Sequence, residues 1–300
     1  MQLSIIIPTY NRSVILKRLL EHLETQTDKD FEVIVAMDGC SDNTEDMLQN
    51  LTVSYELRWV NTNFKGYGLA IARNRGVLEA LGEIVAIIDD DSFPQPEYVA
   101  AYKTSASRWT ITAGPRTPAD DSEIRQLEKM RYLDSLPHNQ PLKFDFIAEK
   151  FPKASITECN ICMYRDDIIK MGLFSERLTI YGFIGQEFFN RARHLGLRYK
   201  YDPNAETIHD RQIEGTAGLN DRRKTREIMF ARALLPAFTK PEQYRRQVEW
   251  AARMAAAKDG DRDLPAFPIE GIVLFPYRFL RNRLGDIRRA IRNRRQVRPQ

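Results

Sequence analysis

The stretch Glu83-Ile84-Val85-Ala86-Ile87-Ile88-Asp89-Asp90-Asp91 constrains the fold more than any other, because five unbroken apolar residues run into three carboxylates. Five apolar residues without polar alternation read as a strand buried on both faces. The carboxylates cannot follow it unpaired into a core. The strand therefore ends at a surface, and in open α/β sheets ligands bind beyond the carboxy ends of the strands. If extended geometry persists, Asp89 and Asp91 point to the same side. Two converging carboxylates suit a hard divalent cation, and such a cation suits a diphosphate. The competing reading is a solvated acidic turn.

The first 105 residues alternate strand and helix signals around that run. Leu3–Ile7, Phe31–Ala36, Ser54–Val60 and Ile84–Ile88 read as strands, with Pro8 ending the first. Val14 to Leu23 carries helical spacing. Asp42 and Glu45 read as a capped helix entry. Gly68 to Leu81 reads as a helix closed by Gly82. Helices between buried strands predict a doubly wound, mainly parallel α/β sheet with right-handed crossovers. Downstream, the sequence predicts a strand near Trp109–Ala113, a helix over Ser122–Ser135 and a loop over residues 136 to 155. It then predicts a strand at Ile156–Tyr164, helices at Asp166–Met171 and Glu187–Leu195, and strands near Tyr199 and Thr207. Beyond Gly215 the chain reads helical over Asn220–Leu235, Pro241–Lys258 and Phe275–Arg295. The expected division is 1–105 and 106–215 as two halves of one domain, with 216–300 as a helical extension.

Composition excludes several classes. The opening strand pattern carries no basic, apolar leader, so no signal peptide is expected. No apolar run approaches the roughly 20 residues that span a bilayer, and the expected location is cytoplasmic. Three cysteines argue against a disulfide framework. Cys159 and Cys162 form a C-x-x-C on an expected strand, where positions three apart face opposite ways. Buried thiols are expected there rather than a zinc site. The net charge of +4 conceals an asymmetry, because residues 271 to 300 hold nine arginines against one acid, Asp286.

Further segments carry chemistry. Asp38-Gly39 closes the second strand, where a carboxylate can accept the imide N–H of a uracil or merely start a helix. Arg73, in Ala72-Arg73-Asn74-Arg75-Gly76, can reach a nucleotide or form a surface ion pair. Glu187, in Gly185-Gln186-Glu187, sits in a first helical turn that favours an ionised carboxylate, as a general base or a plain N-terminal charge.

Together with Ser4-Ile5-Ile6-Ile7-Pro8-Thr9-Tyr10-Asn11-Arg12, Glu158-Cys159-Asn160-Ile161, Gly172-Leu173-Phe174-Ser175-Glu176 and Asp202-Pro203-Asn204-Ala205 ahead of His209, these segments resemble the family 2 inverting glycosyltransferases of the GT-A fold. The likeness spans residues 1 to 210 in the family's order. It implies a hexosyl transfer from a nucleotide sugar, a UDP-sugar foremost, to a glycan or lipid-linked acceptor. Pro8, Thr9, Tyr10, Asp38, Arg73, Asp89 and Asp90 would bind the donor. Asp91, Asp89 and His209 would hold Mn²⁺ or Mg²⁺, with a capping role as the alternative for His209. Glu187 would take the acceptor's proton. Three departures stand out: Met37 replaces an aspartate, Cys40 a serine, and Gln186-Glu187 the family's Glu-Asp.

In the tail, Leu280, Leu284, Ile287 and Ile291 form one helical stripe with arginines on most other faces. Such a helix over residues 275 to 298 suits an anionic membrane surface, and with it the resemblance implies polysaccharide biosynthesis, peripheral at the inner face of the plasma membrane. The competing reading packs the stripe on the body. Nucleic acid is not an expected partner, since no interleaved aromatic platform is present. Two rival functions remain: a catalytically silent scaffold on the same fold, and a sugar nucleotidyltransferase, which would need a glycine-rich basic loop where Pro8 to Arg12 stands.

Overall fold

The computed structural model describes residues 2–119, 158–179 and 184–209, together with the single helical residue Glu249. The expected helix at 122–135, the loop at 136–155, the boundary near 215 and the basic tail lie outside the described residues.

The described chain begins with β1 (Leu3–Thr9), α1 (Ser13–His22), β2 (Phe31–Met37), α2 (Thr44–Asn50), β3 (Glu56–Asn61), α3 (Leu69–Glu79) and β4 (Ile84–Ile88). It continues with β5 (Ser92–Pro94), α4 (Tyr98–Ser105), β6 (Thr110–Ala113) and β7 (Arg116–Pro118). The last elements are β8 (Asn160–Tyr164), α5 (Arg165–Met171), α6 (Ile184–His194), β9 (Arg198–Tyr201) and β10 (Thr207–His209). Seven strands form one sheet in the order β3-β2-β1-β4-β8-β6-β9, and β5-β10-β7 form a second, smaller sheet. The first four strands are parallel, β8 runs antiparallel to both β4 and β6, and β6 and β9 are parallel. The mainly parallel α/β expectation therefore holds for the large sheet, with β8 as its exception, while β5 and β10 of the small sheet are antiparallel.

Period-two alternation explains the two-sided burial. Ile5, Ile7, Val33, Val35 and Ala86 pack against Leu16, Leu19 and Leu20 of α1 and Tyr98 and Tyr102 of α4. Ile6, Ile34, Val85 and Ile87 face the other way, toward Val77 of α3, Ile168 of α5 and Phe188 of α6. Two local expectations change. Pro8 does not end β1: it pairs alongside Ala36 of β2, past the last β1–β4 partners Ile6 and Ile87. Gly82 does not close α3, whose C-cap is Ala80. Gly82 is small because a Cβ there would lie 2.6 Å from Ser4 Oγ, and its N–H donates to Ser4 Oγ (2.9 Å) and Glu32 Oε1 (3.2 Å).

Strand order sets the place of a site. The chain moves outward from β1 through β2 to β3, then α3 returns it to the other flank of β1 as β4. The order reverses between β1 and β4, and that switch point opens a crevice at the carboxy ends of the parallel strands. Thr9, Asp38 and Asp89 all lie there. The amino end of antiparallel β8 meets the same rim, since Asn160 pairs with Ile88. Asn160 also ties the second sheet in place: its Nδ2 donates to the carbonyls of Pro115 and Ala205 (2.8 Å each), and its Oδ1 accepts from Tyr102 Oη (2.7 Å).

Candidate active site

β4 ends at Ile88, and Asp90 and Asp91 form a turn into β5. The turn separates the three acids by direction. Asp90, expected among the donor-binding residues, points inward. It is buried, accepts from Thr9 Oγ1 (2.8 Å) and pairs with Arg12 (2.5 Å). Burial pushes its pKa up to about 7 against the pull of Arg12 and Thr9. Both of its oxygens are engaged, so Asp90 braces β1 against the turn rather than facing the crevice. Asp89 and Asp91 converge on one guanidinium, but through the turn rather than through strand alternation, because extended geometry stops at Ile88. Arg116 on β7 lies 3.9 Å from Asp89 Oδ2 and 3.0 Å from Asp91 Oδ1. Arg12 reaches the other oxygen of Asp91 (3.3 Å), and His209 Nε2 stands 3.7 Å from it. Burial opposes the charge on Asp91, but His209, Arg116 and Arg12 outweigh it and hold the carboxyl well below the usual range.

Asp38 follows β2. Its Oδ2 accepts the Gly68 N–H (2.9 Å), while its Oδ1 is buried without a hydrogen-bond partner. Desolvation lifts its pKa to about 6. A buried carboxylate oxygen without a donor costs free energy in the empty protein. An N–H from a ligand in the crevice would repay it. The Thr9 carbonyl accepts the Asp38 N–H (2.8 Å), and Tyr10, the next residue and the first past β1, is 54% exposed. An exposed aromatic residue one position past that backbone contact, together with an unpaired carboxylate oxygen, suits a planar base that stacks and donates.

Arg73 is wholly buried, contrary to a surface ion pair. Its guanidinium reaches Asp89 Oδ1 (3.1 Å) and Glu158 Oε1 (3.4 Å) and lies 5.3 Å from the centre of the Phe174 ring. It fixes Asp89 from behind. Its neighbour Asn74 is structural, gripping the Phe174 backbone at both N–H (2.8 Å) and carbonyl (2.9 Å).

Glu187 requires a correction. The side chain is buried rather than presented to the crevice. Its two oxygens accept from Arg191 Nε (2.8 Å) and Nη2 (2.9 Å). Arg191 in turn donates to the carbonyls of Met171 (2.7 Å) and Leu173 (2.5 Å), stapling α6 to the end of α5. A carboxylate clamped at both oxygens inside the core is not placed to receive an acceptor's proton.

The donor set tolerates a divalent ion. Asp91 and His209 supply oxygen and imidazole donors close together, with Asp89 across Arg116. Among the described residues no group of three acidic, histidine or cysteine side chains is arranged to hold an ion by itself. A Mg²⁺-type ion commonly takes one or two carboxylates and completes its shell with substrate phosphates and water. The three cysteines are free: Cys162 is a buried thiol as expected, whereas Cys159 and Cys40 are partly buried. Sequence reasoning assigned no role to Arg12 or Arg116. Arg12 lay within a quoted motif; Arg116 carries no local signal, because only the second sheet brings it to the acids.

Residues 4–172, more than half of the chain, match the family described as "Glycosyl transferase family 2". A chondroitin synthase of Pasteurella multocida (strain Pm70) is 30% identical over 238 residues, covering 67% of this chain but 25% of that protein's length. S. aureus TarS 1-349, also solved with UDP-GlcNAc, superposes with a TM-score of 0.58 at 18% identity, covering 85% of this chain and 71% of that one. A mannosyltransferase of Pyrobaculum calidifontis, in complex with GDP-Man and Mn²⁺, gives 0.54 at 20% identity, covering 88% and 76%. The expected GT-A architecture is thereby matched in solved structures, and the chain belongs to glycosyl transferase family 2.

Proposed function

We propose that the protein is a metal-assisted, inverting transferase that moves a hexosyl group from a nucleotide sugar, a UDP-sugar foremost, to a hydroxyl of a glycan or lipid-linked acceptor. The observation that carries this reading is the unpaired Oδ1 of Asp38, set beside exposed Tyr10 at the rim where Asp89 and Asp91 converge. The nucleotide complexes of the two structural neighbours support it.

Asp38 would accept the imide N–H of the base, with Tyr10 stacking and the Pro8–Thr9 backbone lining the pocket. Asp89, oriented by Arg73, would face the ribose. Asp91 and His209 would hold Mn²⁺ or Mg²⁺, which neutralises charge on the departing diphosphate. Arg12 and Arg116 already balance Asp91 and would share that anionic environment. The acceptor oxygen would attack the anomeric carbon opposite the leaving diphosphate, inverting its configuration. The basic amphipathic stretch at 275–298 would dock on an anionic membrane surface and bring the site to a lipid-linked acceptor. Among the described residues no helix is long and apolar enough to cross a membrane.

Calorimetric titration of UDP and GDP, each with and without Mn²⁺, tests the donor site. Metal-dependent binding of UDP above GDP is the expected result; no binding of either would overturn it. The burial of Glu187 favours one second reading, a catalytically silent binding protein on this scaffold. Release of UDP from UDP-glucose or UDP-N-acetylglucosamine distinguishes the two.

A further inference from the structure

The geometry points to Glu158, rather than any residue of α6, as the general base that takes the acceptor's proton. This assignment rests on the transferase reading above. Glu158 lies two residues before Asn160, the first residue of β8, which pairs with Ile88, the last of β4, so it stands at the crevice rim near Asp89. One guanidinium, that of Arg73, bridges the two carboxylates, at 3.1 Å to Asp89 and 3.4 Å to Glu158. The candidate base is thus one guanidinium away from a donor-binding acid.

Burial discriminates among the rivals. Glu187 and Glu176 are 2% and 1% exposed, and each is engaged by a core partner, Arg191 and Asn74 respectively. The Glu158 side chain keeps 20% of its surface open. Its Oε1 meets Arg73 at the long end of hydrogen-bond distance. No partner of Oε2 is found among the described residues.

A second observation places Oε2 where a base is useful. A Cβ built on Gly185 would lie 1.9 Å from it. Gly185 is the second residue of α6 (Ile184–His194), so Oε2 packs against the bare backbone of that helix's first turn. The positive end of the helix dipole stabilises a carboxylate there. The sequence assigned that location to Glu187, but the fold fills it from the start of β8. Gly185 is small because this carboxylate needs the room.

The step balances without a further reactant. The acceptor O–H gives its proton to Glu158 Oε2, and the oxygen's electron pair forms the new bond to the anomeric carbon. The anomeric C–O bond to the diphosphate breaks, and its electrons leave on the diphosphate oxygen. The protonated Glu158 then returns its proton to solvent.

The test measures nucleotide release from UDP-glucose, UDP-N-acetylglucosamine and GDP-mannose with Mn²⁺, water serving as acceptor, alongside calorimetric UDP and GDP affinity. Glu158→Gln should lose about 10²- to 10⁴-fold in turnover while nucleotide affinity and melting temperature hold. Glu158→Asp should recover part of the rate. Gly185→Ala, which displaces the carboxylate, should slow the unaltered chain but add nothing in the Glu158→Gln background. Near-normal turnover in Glu158→Gln, or a parallel loss of nucleotide binding, overturns the assignment. An unaltered chain that binds nucleotide yet cleaves none of the three donors also overturns it, leaving the donor site standing. A chain that binds neither nucleotide removes the transferase reading as well.

Discussion

Asp38→Asn should make the empty protein more stable and its hold on uridine weaker, and both magnitudes follow from the geometry. Desolvation raises the Asp38 pKa from 3.8 to about 6. Ionising it at neutral pH therefore costs the folded state about 3 kcal/mol, at 1.36 kcal/mol per unit. Asparagine keeps an oxygen for the Gly68 N–H but brings an amide N–H₂ into a place without an acceptor. Allowing about 1–2 kcal/mol for that mismatch, the net gain is about 1–2 kcal/mol at pH 7. The sign with pH is fixed. An acid with a raised folded-state pKa favours folding while protonated, and that contribution is lost as pH rises from 3.8 toward 6. The advantage of the variant should thus be largest above pH 6 and fade toward pH 4. Uridine binding moves the other way, because an amide N–H₂ faces the base N–H and a charge-assisted hydrogen bond is lost. About 1.5–3 kcal/mol corresponds to an affinity drop of roughly 10- to 150-fold. Denaturant unfolding at the two pH values and UDP calorimetry read both effects. A variant less stable at pH 7, a gain that persists at pH 4, or unchanged UDP affinity would refute the reasoning.

Asp91→Ala should abolish the Mn²⁺ dependence of UDP affinity, since it removes the carboxylate between His209 and Arg116; calorimetry with and without metal checks it, and retained dependence would displace the metal from Asp91. Glu187→Gln should cost about 3–5 kcal/mol in urea unfolding, because it leaves the buried Arg191 charge unbalanced, while turnover per folded molecule stays near normal. The pair Glu187→Leu with Arg191→Met should recover most of that loss; a stable but inactive Glu187→Gln would instead return the base to α6. Replacing Arg288, Arg289, Arg292, Arg294 and Arg295 with glutamine should eliminate cosedimentation with anionic liposomes and leave UDP affinity intact, whereas unchanged cosedimentation would remove the docking proposal.

The strands were legible because burial on both faces leaves an unbroken apolar run, as in Ile84–Ile88, and because acids at the end of such a run need a solvated or liganded place. Asp89 and Asp91 meet at Arg116, yet not for the periodic reason expected, because the strand stops before them and a turn carries both to that guanidinium. The direction of Asp90 was not, because the strand ends at Ile88 and the turn sends that side chain to Thr9 and Arg12. Glu187 and Arg191 stand four apart on a helix, a spacing that fits a surface pair equally well. Stacking of Phe188 on Phe174, with ring centres 4.3 Å apart, decides which side of α6 faces the core and takes the pair inward.

By itself the sequence determined the alternating α/β plan, the acid-bearing strand ends and the family resemblance, since each is written in residues close together along the chain. Tertiary structure alone decided which charged groups meet. Arg116 reaches Asp91 across 25 positions, Arg73 reaches Glu158 across 85, and His209 returns to Asp91 by way of the second sheet. Ion pairing acts over a few ångströms of space, and only the packing of β7, β8 and β10 around the end of β4 brings those partners within reach.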